Sequence, residues 1–283
     1  MHYLCAAAAM INLKHIRVIL SLIFLGEALA FVILGLSAPQ HAEIAYKLQI
    51  IPSAIMTSMG ATLTWIVATL MLGRVYCSSI CPLGVLQDAV CYAQQKVTRK
   101  KKQRRYKPAN KLRYHILLVY IVLTIAASAF GALLEPWNWF KGIAGTFTPE
   151  HNAGVFSIVA SSATLGIIIA LVALIILLIY ALTTGRDFCN HICPIGTALG
   201  IISTRAALHI EIDPDKCISC LKCEDNCKTS CISVKDRLVD NTRCVRCFNC
   251  IESCPTKAIR LQINRNGVMS PMLRRAAGTS PNV

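Results

Sequence analysis

Charged side chains are scarce in this chain of 283 residues. They make up 15% of the sequence, hydrophobic residues make up 55%, and the mean hydropathy is +0.54. An ordinary soluble domain carries about 25% charged residues. The lack of charge therefore argues against an ordinary soluble protein and favours a membrane protein.

Four stretches have almost no charge at all, and each is long enough to cross about 30 Å of hydrocarbon at about 1.5 Å per residue. Three of them contain no charged residue, and the first contains only Glu27. The predicted fold class is an α-helical membrane protein with four transmembrane helices in two repeated hairpins. These helices are expected at about 18–36, 50–72, 116–134 and 155–182.

Acidic residues are few: 14, against 29 lysines and arginines, which gives a net charge of +15. Residues 96–113 contain ten basic residues and no acid, whereas the segments 37–49 and 135–154 contain one lysine each. Basic loops stay on the cytoplasmic side, so both termini are predicted in the cytoplasm and the protein in the inner, or cytoplasmic, membrane. Since a basic loop there already faces anionic lipid, no nucleic-acid partner is predicted.

A cleavage site of small residues is lacking after the first apolar run, so we expect an uncleaved first helix. None of the fifteen cysteines falls in the predicted outer segments. Disulfide stapling is therefore disfavoured, and metal ligation by thiolates is favoured.

Eight cysteines form two runs with the spacing C-x2-C-x2-C-x3-C, 27 residues apart. With this spacing, three close cysteines hold one four-iron cluster and the fourth reaches the other cluster. The predicted ligands of one [4Fe–4S] cluster are Cys217, Cys220, Cys223 and Cys254. Those of the second cluster are Cys244, Cys247, Cys250 and Cys227. Structural zinc is the alternative, but zinc sites usually use two separated C-x2-C pairs.

The two runs resemble those of bacterial two-cluster ferredoxins, including Pro255 after the last cysteine, although the first run has Lys228 in that place. Cys231 occupies the position of Ala258 in the second run, and we expect it to fill a small packing position. Strand signals surround the runs at 209–212, 232–234, 237–240 and 259–263. The predicted domains are a membrane domain at 1–205, an α+β ferredoxin domain at 206–263 whose folding depends on metal, and a disordered tail at 264–283.

A second internal repeat joins GRVYCSSICPLG at 73–84 and GRDFCNHICPIG at 185–196, and each copy contains a C-x3-C-P element. Three interpretations stay open: a third iron centre, dithiol–disulfide cycling, or plain packing cysteines, of which the iron centre is favoured. The cysteines concerned are Cys77, Cys81, Cys189 and Cys193. Pro82 and Pro194 are predicted in the first turn of a following helix. The helix after Pro82 is predicted to be amphipathic, with Cys91 as a packing thiol.

The order of these motifs, from about residue 14 to 263, resembles the membrane iron–sulfur proteins of the NapH/MauN type, the quinol dehydrogenase component of periplasmic nitrate reductase systems. Similar modules occur in NosR and in the CcoG/RdxA/FixG proteins of oxidase assembly. The resemblance implies a subunit that transfers electrons between the quinone pool and a partner redox protein. It identifies neither the partner nor the direction of electron flow.

Quinol oxidation needs a polar group near the bilayer, and Glu27 is the first candidate, because an ionisable residue at that depth is expensive. A protonated, hydrogen-bonded Glu27 is the alternative. His115 is a second candidate, and Trp137 and Trp139 are expected in an aromatic belt. Broken helices and paired intramembrane charges are lacking, which disfavours a transporter. Two functions stay open: an electron relay between membrane quinone and a partner, and an assembly or redox-sensing protein.

Overall fold

The structure of the protein, a computed structural model, describes residues 2–34, 59–98, 105–126 and 163–263. These residues form ten helices and four short strands. The helices are α1 (His2–Leu34), α2 (Met59–Leu72), α3 (Tyr76–Ser79), α4 (Pro82–Thr98), α5 (Leu112–Ala126), α6 (Ala163–Thr184), α7 (Asp187–His191), α8 (Pro194–Ser203), α9 (Lys222–Asp225) and α10 (Asn249–Ser253). The strands are β1 (Leu208–Ile212), β2 (Ile232–Ser233), β3 (Leu238–Val239) and β4 (Ile259–Ile263).

The predicted class of an α-helical membrane protein with four transmembrane helices is wrong. Across the part of the chain that the structure describes, no helix combines the length and the apolar character needed to cross a membrane. At the second and third predicted spans, α2 has 14 residues and α5 has 15. Helix α1 includes Lys14, Arg17 and Glu27 along its length.

Several predictions fall on residues outside the described ranges. They are the end of the first span and the start of the second within 35–58, part of the basic loop at 99–104, the end of the third span at 127–134, the aromatic residues Trp137 and Trp139, the first part of the fourth span at 155–162, and the tail at 264–283.

The repeated sequence forms two similar helical units. In each, an apolar helix ends at a glycine with positive φ, Gly73 at +75° and Gly185 at +78°. Glycine adopts this left-handed conformation without the steric cost that other residues meet. A short helix with the first cysteine follows, α3 or α7, and then a helix that begins with proline. The predicted place of Pro82 and Pro194, at the start of α4 and α8, is confirmed.

The two units pack crosswise. Helix α4 of the first unit lies against α6 of the second, and α8 of the second lies against α2 of the first. Helix α1 covers α3 and α4, and α5 covers α7 and α8. Leu83 of α4, Leu177 of α6, Phe188 of α7 and Ala28 of α1 form one buried apolar cluster. The elements around the four repeated cysteines are therefore held together by apolar packing.

The C-terminal residues Leu208–Ile263, called here the cysteine-rich segment, combine strands with the short helices α9 and α10. Strand β1 pairs antiparallel with β4, from Leu208 opposite Ile263 to Ile212 opposite Ile259. Strand β2 pairs antiparallel with β3. The four strands lie within a residue or two of the predicted strand signals. Ile210, Ile232, Val234 and Ile259 pack with the cysteines in one buried cluster.

The cysteine-rich segment and the residue before it are joined to the rest of the chain by polar contacts. The N–H of Ala207 donates to the Leu70 carbonyl at 2.7 Å, and that of Lys107 donates to the Ser230 carbonyl at 3.2 Å. Asn190 of α7 donates through Nδ2 to the Thr229 carbonyl at 3.2 Å. These contacts set the cysteine runs directly against the repeated units.

Candidate metal centres

The four cysteines predicted for the first cluster lie around one concavity. We call Cys217, Cys220, Cys223 and Cys254 set A. The concavity holds about 310 Å³ of space, part of it open to solvent, and is walled by Ile212, Val234 and Ile259. Its rim is accessible, because Cys220 is exposed and the neighbouring Ile218 is 64% exposed. Burial raises the pKa of Cys223 to about 12.

The four cysteines predicted for the second cluster are all buried. We call Cys227, Cys244, Cys247 and Cys250 set B. Cys250 interacts electrostatically with the other three, and also with Cys223 of set A. Cys223 in turn interacts with Cys217 and Cys254. The last cysteine of each run therefore lies beside the close cysteines of the other run, and the two sets adjoin.

The backbone of both runs has the same unusual shape. Three pairs of residues, 27 positions apart, have positive φ between +49° and +61°: Ser219 and Arg246, Leu221 and Phe248, Ser230 and Lys257. None is a glycine, so each conformation costs about 1–3 kcal/mol that the surroundings must offset. Alternation of right- and left-handed residues turns amide groups into a concavity that binds anions, as at many iron–sulfur sites. Both runs are shaped for an anionic group.

The last cysteine of each run accepts equivalent hydrogen bonds. The N–H of Cys231 donates to Cys227 Sγ at 3.4 Å, and the N–H of Ala258 donates to Cys254 Sγ at 3.3 Å. The hydroxyls of Thr229 and Thr256 lie 3.7 Å from the same two sulfur atoms. Hydrogen bonds to ligand sulfur tune the potential of a cluster. The two runs therefore offer a cluster closely similar polar surroundings at this position.

The thiol of Cys231 breaks this equivalence. Its side chain is 1% exposed, and its Sγ lies 3.5 Å from Cys227 Sγ. Hydrogen bonds with Cys231 lower the pKa of Cys227 to about 6 and that of Cys244 to about 7. The same hydrogen bonds raise the pKa of Cys231 well above its ordinary value. The thiol of Cys231 therefore favours the ionised forms of its two neighbours.

The repeated elements bring four more thiols together. We call Cys77, Cys81, Cys189 and Cys193 set C. Cys189 and Cys193 interact electrostatically with each other and with Cys77 and Cys81 across the two units. Burial raises the pKa of Cys81 to about 11 and that of Cys193 to about 12. All four are free thiols. A positive charge among them is needed before they ionise at neutral pH.

The described cysteines are not arranged round a single point. No three His, Cys, Asp or Glu side chains in the described ranges form a group that could hold one metal ion. In a four-iron cluster each cysteine binds a different iron atom, so its ligands do not have to converge in that way.

Two arginines connect the repeated units reciprocally. Arg74 of the first unit donates through Nη2 to the Cys189 carbonyl at 3.1 Å. Arg186 of the second unit donates through Nη1 to the Cys77 carbonyl at 2.8 Å. Each unit therefore fixes the backbone of the other unit's first cysteine. Charge-assisted hydrogen bonds of this kind are stronger than neutral ones.

Two glycines permit a close approach beside these contacts. A Cβ on Gly84 would lie 2.3 Å from the Cys77 carbonyl oxygen, and one on Gly196 would lie 2.2 Å from the Cys189 carbonyl oxygen. Such distances are far inside van der Waals contact. The glycine two residues after each proline is therefore required for the C-x3-C-P element to close.

Buried cations outnumber buried acids. Six arginines but only three acidic side chains are buried among the described residues. Cys247 interacts electrostatically with Arg17 and Arg186, and Arg246 with Cys244 and Cys250. Buried charge is costly unless it is paired. Several buried atoms, among them both Nη of Arg243 and the Nε of Arg246, have no hydrogen-bond partner in the described part of the chain. Thiolate ligands of an iron–sulfur cluster fit this excess of positive charge.

Asp88 of α4 joins three cations from three parts of the chain. It accepts hydrogen bonds from Arg186 Nε at 2.7 Å and Lys228 Nζ at 2.5 Å, and Arg17 lies at 3.9 Å. Burial alone would raise the pKa of Asp88, but Arg186 and Lys228 outweigh it and lower the pKa to about 2. Lys228 stands where proline is expected from the ferredoxin pattern. The departure is explained by an ion pair that ties the cysteine-rich segment to α4.

The remaining candidates lie in different places. Glu27 is half-buried on α1, and the adjacent Ala28 packs against Phe188 and Cys189. His115 is exposed on α5. Cys91 is buried and donates to the Ala181 carbonyl at 3.3 Å, which supports its predicted packing role.

Sequence reasoning missed the roles of Arg74, Arg186 and Asp88. A signal was present for two of them, because the dipeptide Gly-Arg begins both copies of the repeat. A buried arginine in an apolar protein needs a partner, and the other copy of the repeat is the nearest candidate. Asp88 carried no such signal, since its counterpart in the second copy is Gly200.

Comparison with known protein families places an iron–sulfur signature on the repeated units. A family model described as a 4Fe-4S binding domain matches residues 55–105 and 165–210, and each match includes one C-x3-C-P element. No solved structure matches the chain significantly.

Several curated relatives are named as ferredoxin-type or electron transport proteins. The chain is 29% identical to the ferredoxin-type protein NapH of Haemophilus influenzae, over 62% of this chain and 55% of that protein. It is 27% identical to the putative electron transport protein YccM of Escherichia coli, over 62% and 47%. It is 25% identical to the methylamine utilization ferredoxin-type protein MauN of Methylobacillus flagellatus, over 53% and 47%.

The chain spans about half the length of these relatives. The predicted resemblance to ferredoxin-like proteins of the NapH/MauN type is confirmed. The comparisons thus connect this chain with 4Fe-4S binding and with ferredoxin-type proteins.

Proposed function

Starting from its similarity to the NapH/MauN-type ferredoxin-like proteins, we propose that this chain relays single electrons between the quinone pool and a partner redox protein. A bound [4Fe–4S] cluster accepts and releases one electron. The observation that carries the proposal is the excess of buried arginines around cysteine sets B and C. Asp88 pairs with Arg186 and Arg17, and Asp240 pairs with Arg243. The buried arginines still outnumber the buried acids, and thiolate-bound clusters would supply further negative charge beside them.

Sets A and B are proposed to hold one [4Fe–4S] cluster each, and set C a further iron centre. The left-handed residues and the N–H···S hydrogen bonds of both runs support the first two. The 4Fe-4S family match over both C-x3-C-P elements supports the third. For set C, Arg74 and Arg186 hold the backbone of Cys189 and Cys77.

The three cysteine sets lie in connected packing. Cys77 of set C and Cys247 of set B share one buried cluster with Tyr76 and Val245. Members of sets A and B share another buried cluster. Close packing of buried side chains keeps the sets in fixed relation to one another. The protein thereby holds its proposed redox centres in one body.

The two ends of this arrangement differ in accessibility. Set A is open to solvent at Cys220 and Ile218, and we place the contact with a partner redox protein there. Glu27 is the proposed proton acceptor for a quinol, because the neighbouring Ala28 packs against Cys189 of set C. His115 is the second candidate. A quinol gives up two protons with its two electrons, so a carboxylate near set C has a chemical role.

Access to quinone requires association with lipid, and we place the protein at the cytoplasmic membrane. Apolar side chains are strongly exposed on several helices, including Leu22 at 61%, Leu63 at 61% and Ile176 at 61%. Exposed apolar surface of this extent is typical of interaction sites. Flotation with liposomes made from bacterial lipid tests this placement, and protein that stays at the bottom of the gradient contradicts it.

The central test uses protein purified without oxygen. Mössbauer spectroscopy and iron analysis should give about eight irons for sets A and B and a clear excess if set C binds iron. Addition of a reduced quinone analogue should then produce EPR signals of reduced clusters. Colourless protein loaded with zinc would refute the proposal. Clusters that do not respond to quinol in repeated turnover would favour the assembly or sensing function.

Set C needs its own comparison. We expect the double variant Cys77→Ala/Cys81→Ala to lose only the iron in excess of about eight per chain. Cys91→Ala is the matched control, because Cys91 is also a buried thiol on the same unit. Equal iron in both variants would show that set C does not bind iron, and thiol titration under oxidising and reducing conditions would then test dithiol–disulfide cycling.

A further inference from the structure

The two cysteine runs are equivalent except at one buried position. The residue four places after the last cysteine is Cys231 in the first run and Ala258 in the second. Both are 1% exposed, and both donate their backbone N–H to the preceding cysteine sulfur, at 3.4 and 3.3 Å. The backbone is the same in both places. What differs is a single thiol group.

That thiol is directed at set B. Cys231 Sγ lies 3.5 Å from Cys227 Sγ and also interacts with Cys244. The hydroxyl of Thr229 donates to Cys231 Sγ at 3.2 Å. When Cys227 and Cys244 are ligands they carry no proton, so they can only accept. The S–H of Cys231 then has to be the donor.

We propose that Cys231 is a positioning residue that does not bind iron but donates its S–H to a ligand sulfur of set B, and so makes the set B centre easier to reduce than the set A centre. This inference rests on the proposed function, since it needs both sets to hold clusters. A hydrogen bond to ligand sulfur withdraws negative charge from the cluster and favours its reduced form. Set A has Ala258 at this position and lacks the bond.

Ligation by Cys231 itself is disfavoured by the symmetry of the runs. Set A consists of four cysteines and has no thiol at the equivalent position, so four cysteines suffice for that half of the repeat. Set B also has four. Cys231 is therefore a fifth thiol beside a complete set.

The difference in reduction potential between the two centres should determine which centre holds the electron. Set B lies next to set C in the buried cluster with Cys77, whereas set A opens to solvent. A more easily reduced inner centre keeps an electron away from the exposed rim until a partner with a suitable potential docks there. The thiol would then limit wasteful reduction of other molecules at the surface.

The test is a redox titration of the two clusters by EPR in the full chain, purified without oxygen. Cys231→Ala should lower the reduction equilibrium constant of one cluster by about tenfold, or about 59 mV for a one-electron couple, and leave the other unchanged. Cys231→Ser keeps a hydrogen-bond donor at this position, so the reduction potential of the cluster should stay near its wild-type value. Ala258→Cys adds a thiol at the equivalent place and should raise the reduction potential of the other cluster.

Each result decides the inference. Unchanged potentials in Cys231→Ala would overturn it, and so would loss of iron from both Cys231→Ala and Cys231→Ser, which would make Cys231 a ligand or a purely structural residue. A wild-type protein without cluster signals would instead refute the proposed function. Wild-type protein with two titrating clusters and no effect of Cys231 would refute only this inference.

Discussion

Set A and set B have the same spacing, the same left-handed residues and the same N–H···S hydrogen bonds, but they lie in opposite surroundings. Set A opens to solvent at Cys220. Set B is buried against the helical units, within electrostatic reach of Arg17, Arg186 and Arg246. Two copies of one motif have thus become an accessible site and an enclosed one.

The difference arises from a few residues that depart from the repeat. Lys228 stands in the place of Pro255 and pairs with Asp88, and Cys231 stands in the place of Ala258 beside Cys227. Both departures lie in the first run, directly after the cysteine that belongs to set B. The two departures from the repeat therefore lie on the side of the cysteine-rich segment that faces the helical units.

The largest expected effect comes from removing one cysteine from each set. Cys220→Ala should lose about half of the iron of the two runs and lower the yield of folded protein only moderately, because Cys220 is exposed at the rim of set A. Cys247→Ala should lose its cluster and also fold poorly, because Cys247 is buried against the helical units and its loss removes one of the two groups, with Asp88, that interact with both Arg17 and Arg186. Iron content and the yield of monodisperse protein measure both effects.

Equal yields of the two variants would contradict the contrast between the sets. Cys91→Ala serves as the control for loss of a buried thiol alone, since Cys91 contacts the Ala181 carbonyl and lies outside all three sets.

Removing the carboxylate that ties set B to the helices is the next largest change. Asp88→Asn leaves Arg186, Lys228 and Arg17 without their shared anion. Breaking a buried ion pair on one side typically costs about 3–5 kcal/mol. We expect a clearly lower thermal midpoint and a loosened set B, with the EPR signal of set A retained. A signal lost from both sets to the same extent would show that Asp88 acts on the whole chain.

The same carboxylate predicts an acid dependence. The pKa of Asp88 lies at about 2, below its ordinary 3.8, so its ionised form stabilises the fold. That stabilisation, about 2 kcal/mol, is fully present above about pH 4 and is lost as the pH falls towards 2. Urea titrations followed by circular dichroism should therefore show the unfolding free energy of wild type falling more steeply than that of Asp88→Asn between about pH 4 and 2, so that the difference between the two proteins shrinks as the pH falls.

The cysteine-rich segment could be predicted closely from the sequence, because cysteine spacing and strand alternation are local patterns. All four strands, and the prolines that begin α4 and α8, were found where local chemistry puts them. The wrong prediction was the membrane-spanning fold. A run of apolar residues reports hydropathy alone, whereas a spanning helix also needs an uninterrupted backbone of sufficient length, and none of the described helices combines the two.

The crossed arginines show what local patterns leave out. Arg74 and Cys189 are 115 residues apart, and Arg186 and Cys77 are 109 apart. Repetition reveals that both arginines matter but not that each serves the other copy. The exchange depends on how the two units pack, which is a property of the assembled fold.

The glycines beside these arginines provide a test of intermediate size. Gly84→Ala and Gly196→Ala each place a Cβ within 2.3 Å of a cysteine carbonyl. Overpacking of this kind typically costs about 1–3 kcal/mol. We expect lower thermal midpoints and weaker iron retention in sets B and C, while set A is spared. Gly26→Ala is the control, since a Cβ at Gly26 meets nothing within 4 Å. In a helix it should be neutral or stabilising.

The smallest expected difference compares the two threonines that flank the last cysteines. Thr229 is 2% exposed and donates to Cys231, whereas Thr256 is only half-buried. Thr229→Val should therefore lower the free energy of unfolding by about 1 kcal/mol, the usual net value of a buried hydrogen bond. Thr256→Val should lower it by less than about 0.5 kcal/mol. Urea titration that follows the visible absorbance of the clusters measures both. If the two substitutions cost the same, the thiol of Cys231 gains nothing from Thr229, and the surroundings of sets A and B differ only in exposure and charge.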